Sequence, residues 1–373
     1  MKKRLLAISL LTLFPLLSGC GEDEYSVDKL TVEHPNSYQL WDNFDYSNLK
    51  VTYDGTELES KQYNVDFSKF NNAVVGASEI TVSLVKSPKT SISIPVEVKN
   101  RTTCNFLAIG NSYTEDLIYY ANDIIKNSDE NLDIKIYGIG IGGANLDQHF
   151  DYFVHDNALY TFLQYNFETS SWEYINNMTL KDALLYEDVS WDVVTLQEQT
   201  AKSGQSNSYK HLNSFVNSIS SFLKSKNKKV PSFGWHMTWA YQNGVAVDNM
   251  YYEYYGNSQE TMYNAILTQT KDIVEASNLF NFILPSGTAI QNARNSELAS
   301  EKEFTRDGKH LDLKSGRYIA SLDLVSKLTG YPASHFTYRG LEGSEIVSSD
   351  EQNIIYQIVD SAISNPYQIT SLK

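Results

Sequence analysis

Cys104-Asn105-Phe106-Leu107-Ala108-Ile109-Gly110-Asn111-Ser112-Tyr113-Thr114-Glu115 is the stretch that decides the fold. Its first six residues form a short apolar run, the texture of a buried parallel strand, and a helical pattern begins at Glu115. The alternation continues down the chain. Strands read at 104–109, 133–137, 192–197, 230–236 and 280–284. Helices read at 115–126, 180–186, 209–226, 258–277, 313–328 and 350–363. Five short strands joined by helical crossovers predict a parallel sheet covered on both faces, with ligands at the carboxyl ends of the strands. A hairpin is expected at 160–177, inserted near the second helix.

Upstream of Lys99-Asn100-Arg101 the texture is different. From Leu30 to Val98 the residues alternate with period two, at 49–53, 79–85 and 91–98, with a turn at Asp54-Gly55. That pattern predicts an all-β sandwich over 30–99, and its strand spacing resembles the bacterial immunoglobulin-like domains of surface proteins. The resemblance implies a spacer or a glycan- or wall-contacting module.

Residues 1–19 carry Lys2, Lys3 and Arg4, no acid, and an apolar run from Leu5 to Leu17. A run of that length falls short of the ~20 residues needed to cross a bilayer, and the segment has the three-part build of a secretory signal. Its ending, Leu17-Ser18-Gly19-Cys20, resembles the lipobox of bacterial lipoproteins. The resemblance implies cleavage after residue 19, a lipid on Cys20, a short tether over 20–29 and an outward-facing place on the cell membrane. The second of the two cysteines, Cys104, opens an apolar strand and is expected to be packing.

The whole chain of 373 residues has a net charge of −15. A surface so acidic repels polyanions, which argues against nucleic acid as a partner. Two cysteines are too few for a disulfide framework or a cysteine metal site. His149, Asp151 and His155 invite a metal reading, but only Asp151 and His155 share a helix face and no third ligand is evident. No metal and no cofactor are therefore expected.

The chemistry concentrates at two places. Ser112 falls at the carboxyl end of the first strand, beside the start of a helix whose free N–H groups favour negative charge. Its spacing to Glu115 also fits a capping box, and Thr114 is a further candidate cap. Near the other end, Arg306-Asp307-Gly308-Lys309-His310 places an aspartate three residues before a histidine. Such an aspartate can hold the imidazole in the tautomer that takes a proton from a serine hydroxyl.

Gly-Asn-Ser after the first strand, together with Asp-Gly-Lys-His before the last long helices, resembles the SGNH/GDSL hydrolase family over about residues 104–330. The resemblance implies a three-layer α/β/α, flavodoxin-like hydrolase domain over 104–373, with Ser112 as nucleophile, His310 as general base and Asp307 orienting it. It further implies an oxyanion hole from the backbone N–H of Ser112 and from a glycine after the second strand. Here Gly138-Ile139-Gly140-Ile141-Gly142-Gly143-Ala144-Asn145 puts that role on Gly143, where the absence of a side chain lets backbone approach substrate.

Two positions depart from the family pattern. Asn111 replaces the usual aspartate before the serine. The third block, Leu196-Gln197-Glu198-Gln199, lacks the family's asparagine, and Gln199 is preferred to Gln197 as its substitute. Loss of one oxyanion donor costs a factor of about 10² to 10³ in rate. Trp239, with Trp235 and Tyr241, could line a sugar-stacking cleft, with core packing as the alternative. The expected activity is removal of acetyl or other short acyl groups from carbohydrate. A noncatalytic glycan-binding lipoprotein and an O-acyltransferase are the alternatives.

Overall fold

The computed structural model describes residues 25–35, 37–44, 46–300, 302–341 and 343–372, and the signal segment, Cys20 and most of the tether lie outside them. Two compact units are present. One comprises 25–35, 46–70 and 79–95; the other comprises 36–45, 71–78 and everything from Val96 onward. The division is thus not a single cut in the chain.

The first unit is built of strands and short turns. Leu30–Glu33, Lys50–Tyr53 and Thr56–Glu57 form an antiparallel sheet in which Leu30 faces Tyr53 and Val32 faces Val51. The hairpin turn takes positive φ at both central residues, Asp54 (50°) and Gly55 (76°), as the two-residue turn that matches strand twist demands. Tyr63–Asp66 pairs with the end of the strand Gly76–Leu84. Leu30, Val51, Ile80, Val82 and Leu84 are buried, so period-two alternation does supply this unit's core.

In the second unit one seven-stranded sheet dominates. Its strands are β1 (Thr103–Gly110), β2 (Asp133–Gly140), β3 (Tyr160–Asn166), β4 (Ser171–Met178), β5 (Val193–Leu196), β6 (Ser232–His236) and β7 (Phe282–Leu284). They lie in the order β4-β3-β2-β1-β5-β6-β7. β2, β1, β5, β6 and β7 are mutually parallel, and the expected hairpin, β3–β4, adds antiparallel to the outer side of β2. Phe106 of β1 sits between Ile136 of β2 and Val193 of β5, which explains the apolar run: both faces and both edges of this strand are covered.

The helices are α1 (Ser112–Ile118), α2 (Ala121–Ser128), α3 (Leu146–His155), α4 (Leu180–Leu184), α5 (Leu212–Ser225), α6 (Asn249–Tyr255), α7 (Gln259–Gln269), α8 (Ser286–Arg294), α9 (Ser315–Thr329) and α10 (Ser349–Ser364). The single helix read at 115–126 is two, broken at Tyr119 and Tyr120. From β1 the chain steps to β2 on one side and, after the β3–β4 hairpin, returns across β1 to β5 on the other. Right-handed crossovers therefore put α1 and α2 on one face and α3 to α5 on the opposite face. Packing agrees, since α1, α2, α8 and α10 pack on or beside α9 while α3 packs on α4 and α5. The reversal of direction opens a crevice at the carboxyl ends of β1 and β5.

α9 is buried along its whole length except at Lys327. A helix covered on all sides is a core element, and this one follows the 305–311 loop directly, giving that loop a rigid base. Cys104 is buried and free, with its thiol pushed up to about 12 by burial, as a packing residue would be. No helix among the described residues is long and apolar enough to cross a membrane.

Candidate active site

Four loops meet at the crevice. β1 ends in Gly110 and Asn111, and Asn111 is the N-cap of α1, its Oδ1 accepting the Tyr113 N–H at 3.0 Å. The cap is therefore neither Ser112 nor Thr114. Ser112, released from capping, is the first residue of the helix and directs its Oγ to His310 Nε2 at 2.8 Å. His310 Nδ1 meets Asp307 Oδ2 at 2.6 Å. Asp307 Oδ1 accepts the N–H groups of His310 (2.8 Å) and Lys309 (3.1 Å), so the carboxylate folds its own loop around itself.

Burial alone would raise the Asp307 carboxyl. The His310 ring and the two backbone N–H groups outweigh burial and hold it down at about 2. An ionised Asp307 fixes the His310 tautomer: Nδ1 carries the proton and Nε2 presents its lone pair to the Ser112 hydroxyl. This is the geometry of an activated nucleophile.

The second loop is tied to the first at two points. Ile141 N–H donates to Gly110 O at 3.1 Å, and Asn111 Nδ2 donates to Ala144 O at 3.0 Å. Ala144 N–H returns to Ile141 O, closing a tight turn in which Gly143 takes φ 71°, a conformation that favours glycine. Strand packing at this point is equally strict: a Cβ on Gly140 would stand 2.8 Å from Gly110 O.

The third block divides its two glutamines. Gln197 is buried; its Nε2 donates to Asn111 Oδ1 at 2.8 Å, and its Oε1 accepts from Thr114 Oγ1 at 2.8 Å and lies 3.0 Å from His236 Nδ1. It is the hub that joins the ends of β1, β5 and β6 beneath Ser112. Gln199 caps the turn Thr200–Lys202, its Oε1 accepting the Lys202 N–H at 3.2 Å, which leaves Nε2 as the group for a donor role. The neutral amide of Asn111 also has a reason here: one end accepts twice and the other donates, a pattern that an aspartate cannot reproduce.

The expected stacking cleft is corrected by burial. Trp235, Trp239 and Tyr241 are at most 2% exposed and offer no free face. Trp239 instead stacks on Tyr113 at 4.4 Å and donates its indole N–H to Lys309 O at 2.7 Å, bracing the loop that carries His310. Large apolar area and one N–H were better used inside than at the surface.

Sequence reasoning missed Asp116. This fully buried carboxylate on α1 accepts the Leu311 N–H (2.9 Å) and pairs with Arg306 (3.0 Å) and Arg317 (2.7 Å). An acid one helical turn after the candidate serine is the only local signal, because both arginines are remote in sequence. His149 and His155 hold no metal geometry. His149 Nδ1 meets Tyr160 OH, His155 pairs with Asp151, and no group of three metal-binding side chains occurs among the described residues.

The model of the family DUF4886, described as a domain of unknown function, matches residues 105–361. No curated protein matches the chain. A crystal structure of a DUF4886 family protein from Bacteroides uniformis is similar at 28% identity and a TM-score of 0.60, covering 72% of this chain and 98% of that one. The acetylxylan esterase Axe2 from Geobacillus stearothermophilus is similar at 15% identity, covering 67% of this chain and 99% of that one, with a TM-score of only 0.35. A likeness as loose as the last carries no argument about activity.

Proposed function

From the premise that the chain belongs to the DUF4886 family, we propose that it is a serine ester hydrolase of SGNH type. One observation carries the reading: Ser112 Oγ, His310 Nε2, His310 Nδ1 and Asp307 Oδ2 form a continuous relay with steps of 2.8 and 2.6 Å. Ser112 Oγ attacks the ester carbonyl while Nε2 takes its proton. The imidazolium, stabilised by Asp307, returns that proton to the departing alcohol. Water then attacks the acyl-enzyme with Nε2 again as base, releasing the acid and restoring Ser112.

The oxyanion of each tetrahedral intermediate is assigned to the backbone N–H groups of Ser112 and Gly143, with the Gln199 amide as third donor. The turn that gives Gly143 its positive φ supports this assignment. The substrate in this reading is an acetyl or short acyl ester of a carbohydrate. The N-terminal β unit is read as an immunoglobulin-like spacer, and Cys20 as the lipid attachment that holds the protein on the outer face of a membrane.

The experiment is hydrolysis of 4-nitrophenyl acetate by the purified protein. Acetate release that is lost in Ser112→Ala supports the mechanism; equal activity in the variant removes it. The same assay with a sugar alcohol as acceptor separates hydrolysis from acyl transfer. For the anchor, radiolabelled fatty acid is expected on the wild-type chain and not on Cys20→Ala.

A further inference from the structure

A polar cavity of about 160 Å³ opens beside the third block, between Asn145 and Asp147 at the start of α3, Glu198, Lys202 and Gln205 after β5, and Tyr254 of α6. Its walls continue the active-site loops. Asn145 stands two residues beyond Gly143, a span of at most about 7 Å. Glu198 directly follows Gln197, whose side chain holds Asn111 beside Ser112.

Glu198 is the unusual member of the lining. It is fully buried, and its Oε1 accepts the N–H groups of Gln199 (2.6 Å) and Leu146 (3.2 Å). Its Oε2 is buried with no hydrogen-bond partner among the described residues. An unmet polar atom of this kind carries a desolvation cost, which a hydrogen-bonding group that reached it would relieve.

The charges around the cavity select the ligand. Asp147 pairs with Lys210 at 3.0 Å and lies 3.0 Å from His211 Nδ1, and Lys202 also lines the cavity. An anion would meet the Asp147 carboxylate, and a bare cation would meet Lys202 and Lys210. Amide, carboxyl and ammonium groups side by side suit a neutral ligand dense in hydroxyls, each of which both donates and accepts. A cavity of about 160 Å³ has room for one ring. Tyr254, 43% exposed, adds an aromatic face at the same cavity, of the kind on which a sugar ring packs.

We propose that this cavity is a sugar subsite, holding one unacylated ring of a carbohydrate whose ester lies at Ser112. The proposal rests on the esterase reading for its place in catalysis, but binding is measurable without turnover. Calorimetry of the purified protein uses xylobiose, cellobiose and chitobiose as probes, with inorganic phosphate and calcium as contrasts. At least one sugar is expected to bind, weakened tenfold or more in Tyr254→Ala and retained in Tyr254→Phe, which keeps the ring should the alanine variant fold poorly. Binding of none of the sugars, binding unchanged in Tyr254→Ala, or binding of phosphate or calcium in their place overturns the subsite. Failure to hydrolyse 4-nitrophenyl acetate overturns the esterase reading instead, so the two failures are distinct.

Discussion

Asp116 accepts the backbone N–H of Leu311 at 2.9 Å, and with that bond the helix that begins at Ser112 is fastened to the loop that carries His310. The two catalytic candidates are 198 residues apart in the chain. Their hydrogen bond requires the two elements to be in fixed register, and a fully buried carboxylate shared by Leu311, Arg306 and Arg317 supplies it.

Asp116→Asn is expected to destabilise the fold by about 3–5 kcal/mol, because it leaves two arginines, one of them nearly buried, without their shared charge. Urea unfolding checks this. A variant within about 0.5 kcal/mol of wild type would show that the clamp contributes nothing.

Asp307→Asn is expected to lower kcat by about 10⁴ with little change in thermal midpoint, since an amide no longer fixes the tautomer that presents Nε2 to Ser112. Its carboxyl is held at about 2, against 3.8 ordinarily, so it stays ionised through any ordinary assay. The acidic limb of the pH–rate profile is therefore expected to involve one proton, with none taken up by Asp307. A limb of slope two would contradict the assignment.

Asn111→Asp replaces the donor that meets Ala144 O with a second acceptor, setting oxygen against oxygen at the contact that holds the Gly143 turn. A loss of about 1–3 kcal/mol in stability is expected, together with a fall in kcat at little change in KM, as the turn loses its tether. Wild-type kinetics in the variant would detach the turn from catalysis.

Burial pushes Glu198 up to about 8 and Asp323 up to about 7, from ordinary values of 4.5 and 3.8. Between those limits the folded state holds protons that the unfolded chain has released, so unfolding becomes easier as pH rises, by up to about 1.4 kcal/mol per pH unit per proton. Buried His149 and His236, pushed down to about 4 and about 3, are neutral in the fold there, and their opposing contribution fades as the unfolded histidines lose their protons above 6.5. The urea midpoint is expected to fall from about pH 6.5 to about pH 8, and Glu198→Gln is expected to remove part of that fall. A flat profile in wild type would refute it.

Much of this architecture was legible because its causes are local. The apolar run at 104–109 has no polar side to show solvent, so it had to be an inner strand. Asp307 and His310 sit three residues apart, within reach of one loop. The glycine-rich stretch at 138–145 marked a backbone turn, and Gly143 takes the positive φ that glycine permits. The aromatic residues misled for the converse reason. Trp239 beside a strand end reads equally as a surface platform and as a core residue, and only its stack on Tyr113 and its bond to Lys309 O decide between them.

By itself the sequence determined the alternation of five strands with helices, the parallel sheet that results from it, and Ser112, His310 and Asp307 as the candidate residues. The tertiary structure alone decided which of them touch. It chose Asn111 as the cap, drew Gln197 inward as a hub, spent the tryptophans on packing and gave Asp116 two distant arginines. Such choices depend on burial and on partners tens to hundreds of residues away, where a polar atom must find whatever donor or acceptor the fold brings to it, and a linear pattern holds no record of that meeting.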